Sequence, residues 1–129
     1  MIINALEYLD LTASRFPNAT AIIDADDSIT FGELLNRARI LASNIIHRDQ
    51  RHKRPVAVFL PKSAECVTAF LAALYSGNFY VPLDMDWPPA RLKKILADLD
   101  PAFAITSRQH EDAVRAIMPQ PDTIVVIED

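Results

Sequence analysis

Two aspartates, Asp84 and Asp86, are the side chains best placed for chemistry in this 129-residue chain. They follow the apolar stretch Phe79-Tyr80-Val81, and carboxylates at the carboxyl end of a strand lie where open α/β sheets bind ligands. A pair of carboxylates there could hold a magnesium ion. A phosphoacceptor receiver domain would add an acidic pair after its first strand and a lysine after its last. Here Asp26-Asp27 falls in a turn, and Ile127 is followed by Glu128 and Asp129, with no lysine. Turn and cap roles fit these aspartates better. Pro61-Lys62-Ser63 sets a lysine and a hydroxyl at a helix start, like the end of a phosphate loop. Such loops need several neighbouring glycines so that backbone amides can approach the anion. The chain has nine prolines and only two glycines, Gly32 and Gly77, so Ser63 reads as a helix cap.

The remaining reactive side chains have plainer explanations. A single cysteine, Cys66, excludes an intrachain disulfide and suits a reducing cytoplasm. It falls on a buried helix, the setting of an inert core thiol. Residues 47–54 (HRDQRHKR) are the one basic cluster. A phosphate or nucleic-acid patch, or a metal site at His47 and His52, would need interleaved aromatics or a carboxylate-rich neighbour. A solvated connector accounts for the cluster. There is no His-x-x-x-His pair, Gly-x-Ser-x-Gly elbow or Cys-x-x-Cys. A net charge of −4 gives no case for nucleic acid or an acidic membrane surface. The start, MIINALEYLD, lacks the basic head and apolar core of a signal peptide. Length and an ordinary charged fraction of 23% fit one soluble, cytoplasmic domain over residues 1–129.

The elements that must position these residues centre on residues 63–84. From Cys66 to Leu83 no side chain is charged, but Thr68, Ser76, Gly77, Asn78 and Pro82 interrupt the run, so it does not read as a bilayer span. Ser63 caps a helix with Val67, Phe70, Leu71 and Leu74 at helical spacing and alanines at 64, 69, 72 and 73 on the other faces. Gly77 supplies a left-handed stop. Phe79-Tyr80-Val81 is a short strand ended by Pro82, and Val56-Ala57-Val58-Phe59-Leu60 suits a central parallel strand before the helix.

Upstream, Asn4 and Glu7 cap a helix with the stripe Leu6, Leu9, Ala13, Phe16. A hairpin of Ala21-Ile22-Ile23 and Ile29-Thr30-Phe31 follows. Thr30 and Glu33 form a capping box for a helix that buries Leu34, Ala38, Leu41 and Ile45, with Leu35, Ala42 and Ile46 beside them. Downstream, Pro88-Pro89 start a helix with Leu92, Ile95, Leu96 and Leu99 inward, and Pro101 ends it. Ala102 to Ile105 is a strand. Ser107 caps a helix near residues 109–118 with Ala113, Val114 and Ile117 inward, closed by Pro119 and Pro121. Residues 123–127 form a last strand. The alternation predicts an α/β fold with an open, mainly parallel sheet and helices on its faces.

These segments resemble the AMP-binding, acyl- and aminoacyl-adenylating enzymes, which include nonribosomal peptide synthetase adenylation domains and carrier-protein ligases. Ile29-Thr30-Phe31-Gly32-Glu33-Leu34 is similar to the family's (Leu/Ile)-Thr-(Tyr/Phe)-x-Glu-Leu motif. Residues 70–84 resemble a second motif, an alanine-rich helix, a glycine and Tyr-Val-Pro-(Leu/Ile)-Asp, carried by Gly77, Tyr80, Pro82 and Asp84. PPARLKKILAD, with Arg91 and Leu92, is similar to the segment that follows and looks like the amino-acid-activating branch. Asn78 departs from the family's glycine-alanine pair. The resemblance covers essentially the whole chain and implies the N-terminal subdomain of an adenylate-forming enzyme.

It also implies a fragment. In the full-length relative a carboxylate attacks the α-phosphate of MgATP, giving an acyl-adenylate and pyrophosphate. The acyl group then passes to a thiol, often the phosphopantetheine of a carrier protein. The phosphate-gripping loop, the acyl pocket and the C-terminal lysine of that family have no counterpart here, so no catalytic, cofactor-binding or metal residue maps onto the chain. Expected partners are the remainder of the adenylation domain, a carrier protein in the full-length relative, and a second copy through exposed core surface. The alternative is a freestanding α/β interaction module that inherited the fold.

Overall fold

The computed structural model describes residues 5–24, 27–49, 53–118 and 123–128. Helix α1 (Ala5–Arg15) opens the chain, followed by an antiparallel hairpin of β1 (Thr20–Asp24) and β2 (Asp27–Thr30). Asn4, expected to cap α1, and Asp26 of the turn lie outside the described residues. The expected apolar stripe holds at Ala13, which is buried, and fails at Phe16, which is 60% exposed. The helix stops at Arg15, so Phe16 sits beyond its last turn, where its carbonyl accepts the Ala19 amide at 3.2 Å.

Thr30 ends the hairpin and starts α2 (Phe31–Arg48), its hydroxyl accepting the Glu33 amide at 3.1 Å. That satisfies one of the four amides a helix start leaves without a partner in the helix. Gly32 lets this corner close on Pro17: its amide donates to the Pro17 carbonyl at 2.9 Å, and a Cβ there would stand 3.0 Å from the same oxygen. Leu34, Ala38, Leu41, Ala42 and Ile45 form the buried face. Ile46, expected beside them, is exposed; it is next to Ile45 in sequence and so about 100° further round the helix.

The other four strands, β3 (Pro55–Phe59), β4 (Phe79–Pro82), β5 (Phe103–Thr106) and β6 (Ile124–Val126), form one wholly parallel sheet in the order β4-β3-β5-β6. Strands β3 and β5 lie inside it and are buried on both faces, which is why they read as unbroken apolar runs. Alternation divides the core. Val56, Val58, Phe103 and Ile105 meet α2 and α3 (Ala64–Tyr75) on one face. Ala57, Phe59, Ala104 and Val126 meet α4 (Pro89–Leu99) and α5 (Glu111–Ile117) on the other.

Helix α3 differs from the expected stripe. Ala69, Ala72 and Ala73 are its fully buried residues, while Val67, Phe70, Leu71 and Leu74 are half-buried. The alanines share a cluster with Leu41, Ala42 and Ile45 of α2 and with Val56 and Val58 of the sheet. A helix packed against both a neighbouring helix and the sheet needs small side chains where these contacts are closest, and its larger ones are left to the flanks. Gly77 closes the helix at φ 84°, with its amide on Leu74 O and the Asn78 amide on Ala73 O, both 3.0 Å. This is the left-handed stop that the sequence called for.

The last third brings two corrections. Ser107 makes no side-chain cap bond; the region opens as a 3-10 turn at Arg108–His110 before α5. The Arg108 amide instead donates to both carboxylate oxygens of Glu128, at 3.0 and 3.1 Å. An ionised acceptor at a helix start is stronger than a hydroxyl. Ala113, expected inward, is exposed, because Val114, Ile117 and Met118 already form the i, i+3, i+4 face. Pro119 and Pro121 lie outside the described residues.

Candidate functional site

Strand order in the parallel sheet changes side at β3: the connection to β4 leaves to one side, and the return to β5 crosses to the other. Crevices open at the carboxyl ends of strands beside such a switch. A cleft of about 720 Å³ lies there, walled by the segment leaving β3 (Phe59 to Lys62), the segment leaving β4 (Pro82 to Trp87), and Phe70 of α3. That volume suits a small molecule. Its polar groups are Lys62, Asp84, Asp86 and His110.

Each candidate from the sequence has a place relative to this cleft. Ser63 is committed to the backbone: its hydroxyl donates to Pro61 O at 2.9 Å and accepts the Cys66 amide at 3.2 Å, which leaves Lys62 beside a capped helix start. Asp84 forms a turn, its Oδ1 accepting the Asp86 amide at 2.8 Å and its carbonyl the Trp87 amide at 3.1 Å. Cys66 borders the cleft but is buried, and burial pushes its thiol above the ordinary cysteine range, so it is not poised as a thiolate. His47 is exposed near the end of α2, and its suggested partner His52 lies outside the described residues. Among the described residues no three His, Cys, Asp or Glu side chains gather to hold a metal ion. No helix among them is long and apolar enough to cross a membrane.

The motif residues fall in two groups. Thr30, Glu33 and Leu34 sit where the hairpin meets α2, and Leu34 packs in a cluster with Ile29 and Ala64. Gly77, Tyr80, Pro82 and Asp84 follow the chain from the end of α3 along β4 to the cleft. The Tyr80 ring stacks on Phe70, centroids 4.2 Å apart. Arg91 lies over the Trp87 ring at 4.7 Å, and Leu92, one position on, is buried in the core beneath α4.

Sequence reasoning did not find Trp87 or His110 as cleft residues. The spacing of Trp87 and Arg91, one helical turn, was a usable signal; His110 reaches the cleft through the fold. It also missed a polar cluster tying three helices: Tyr75 Oη donates to Asp10 Oδ1 at 2.7 Å, and Arg39 Nη2 to the same oxygen at 3.0 Å. Burial first, and then this bond to a carboxylate, pushes the Tyr75 hydroxyl well above its ordinary range.

Comparison with known proteins gives a consistent set of relatives. Residues 9–129 match the family described as AMP-binding enzyme. A dimodular nonribosomal peptide synthase of Bacillus subtilis (strain 168) is 31% identical over 119 residues, spanning 92% of this chain and 5% of that protein. Pyochelin synthetase PchE of Pseudomonas aeruginosa (strain UCBPP-PA14) is 37% identical over 112 residues, spanning 87% of this chain and 8% of that protein. The structure of VinN with 3-methylaspartate superposes with a TM-score of 0.85 at 26% identity, over 95% of this chain and 34% of the other. The nonribosomal peptide synthetase FmoA3 gives 0.87 at 24% identity, over 95% of this chain and 14% of that one, a likeness of fold. The chain therefore spans well under a tenth of the length of these curated relatives.

Proposed function

This chain belongs to the AMP-binding enzyme family, and from that premise we propose that it is the N-terminal scaffold of an ATP-dependent ligase. The ligase would adenylate an amino acid, or another carboxylic acid, and pass the acyl group to the phosphopantetheine thiol of a carrier protein. The observation that carries this reading is the family match running unbroken from residue 9 to residue 129. That range includes all three sequence motifs.

We infer that MgATP is held outside the described residues. Gly32 is used to close a corner on Pro17, and Gly77 to end α3. The one lysine at a helix start stands beside a serine already committed to the backbone. An anion cradle needs several free amides approached closely, usually at glycines, and both glycines of the chain are used elsewhere. The nucleotide would be held by the remainder of the adenylation domain, against which this part supplies a rigid three-layer base.

Acid-dependent ATP–pyrophosphate exchange tests the reading. The chain alone should show no exchange above a heat-denatured control, and mixing it with a separately expressed remainder of the domain should restore exchange. Turnover by the chain alone would refute the scaffold role. A chain that neither binds that remainder nor regains activity with it would be a freestanding module.

A further inference from the structure

We propose that helix α1 is a hinged strap, opening as one unit from a body that stays folded, with the carboxylate of Asp10 as its latch. The inference does not depend on the ligase reading and rests on how this helix is held. Among the described residues of α1 only Ala13 is buried, while Leu9 leans on the cluster of Ile29, Leu34 and Ala64. Tyr8 and Leu11 are 61% and 40% exposed. Neither core cluster on the two faces of the sheet includes a residue of α1, whereas α2 and α3 both contribute to one of them. Segments that bury little apolar surface open locally at much lower cost than the whole fold. A free helix of 11 residues is also marginal in water, so α1 unwinds once it leaves the body, and it leaves whole. Backbone bonds set the hinge. Pro17 O accepts the Gly32 amide at 2.9 Å and Ala19 O the Phe31 amide at 3.0 Å, so the chain is fastened to the start of α2 from residue 17 onward.

The latch is a single oxygen. Asp10 Oδ1 accepts Tyr75 Oη of α3 at 2.7 Å and Arg39 Nη2 of α2 at 3.0 Å. The Arg39 guanidinium also lies 5.8 Å from the centre of the Tyr75 ring, so both donors belong to one seat on the body. Only the acceptor travels with the strap. Bonds to an ionised acceptor are the stronger kind. The Arg39 and Asp10 side chains are nevertheless 56% and 42% exposed, and ion pairs in contact with water add little. The latch therefore fastens α1 without tying its opening to that of the core.

Native-state hydrogen exchange over a series of low urea concentrations, read by mass spectrometry on the purified chain at neutral pH, tests both claims. Corrected for intrinsic rates, α1 should exchange at least about tenfold faster than the slowest amides of α2 and α3. Its rate should depend only weakly on urea, because opening exposes little surface. Asp10→Ala removes the acceptor and should speed α1 exchange about tenfold. Ile105→Val, buried in the inner strand β5, weakens the body equally whether the strap is closed or open. It should speed the slowest sheet amides about three- to tenfold and leave α1 unchanged. An α1 as slow as the core, a urea slope shared with the core, or acceleration of α1 by Ile105→Val would each overturn the strap. Unchanged α1 exchange in Asp10→Ala would overturn the latch. The urea series on the unaltered chain decides the strap even if a variant fails to fold.

Discussion

Replacing Gly77 by valine tests whether the end of α3 is the fixed point of the fold. Gly77 has φ 84°, a region open to glycine and costly for a side chain with a Cβ. The conformation is pinned from three directions. The Gly77 amide is on Leu74 O, the Asn78 amide is on Ala73 O, and the Gly77 carbonyl accepts the Lys53 amide at 2.8 Å. Relaxing φ to a negative value therefore sacrifices backbone bonds on both sides of the residue. An L-residue forced into the left-handed region costs about 1–2 kcal/mol, and a β-branched one belongs at the upper end of the roughly 1–3 kcal/mol typical of strained backbone. Gly77→Val should thus lose about 2–3 kcal/mol, Gly77→Ala about 1 kcal/mol, and Gly77→Asn less, since asparagine visits this region most readily. Urea melts with a common slope measure the series, with Lys93→Ala on the exposed face of α4 as the control expected within about 0.5 kcal/mol of the parent. A valine variant as mild as that control, or an order in which asparagine is worse than valine, would refute the reasoning.

Asn78→Ala should cost about 1–3 kcal/mol in the same melts, because the buried amide accepts the Arg54 backbone N–H at 3.1 Å and donates to Ser76 Oγ at 3.0 Å, and alanine leaves both without that partner. Stability should fall as pH rises above about 10: Tyr75 keeps its proton in the folded chain beyond the point where an unfolded tyrosine loses it, so the folded state binds more protons there. Tyr75→Phe should flatten that alkaline loss while lowering stability at neutral pH, as followed by thermal melts from pH 7 to 11. The free chain should self-associate through the edge strand β4, where Phe79 and Tyr80 are exposed; light scattering over a dilution series should show it, and Phe79→Lys should abolish it.

The sheet was legible because its two inner strands are buried on both faces, and Val56 to Phe59 and Phe103 to Ile105 carry that burial as continuous apolar runs. Local caps were legible for a related reason. Thr30 with Glu33, and Ser63 with Cys66, are bonded three residues apart, within the reach of a sequence window. Glu128 capping Arg108 is separated by 20 residues and Tyr75 meeting Asp10 by 65, distances that only the fold closes. Burial of α3 on its alanine faces was legible too, but not that the alanines lie deeper than the larger residues. Hydrophobic periodicity weighs Phe70 and Leu74 above alanine, whereas close packing against both a helix and the sheet selects for small volume. The cleft suffered in the same way: Asp84 and Asp86 were visible as carboxylates, but its walls come from segments after two strands and from α3.

Along the path from α3 to α4 the motif residues Gly77, Tyr80, Pro82 and Asp84 position one another and the mouth of the cleft. Gly77 turns the chain out of a helix whose alanines pack in one cluster with α2 and the sheet. Tyr80 then locks against Phe70 on that helix, setting the rotation of β4 at the sheet edge. Pro82 pairs with Val58, and the next amide, of Leu83, donates to the Val58 carbonyl at 2.9 Å, so the strand is still registered as it leaves the sheet. Asp84 folds the following residues into a turn, and Arg91 holds Trp87 from the far side. Each contact constrains the one after it, and together they determine where the chain crosses the mouth of the cleft. Gly77→Val should therefore also change the fluorescence of Trp87 in the folded chain, and an unchanged spectrum would refute this chain of contacts.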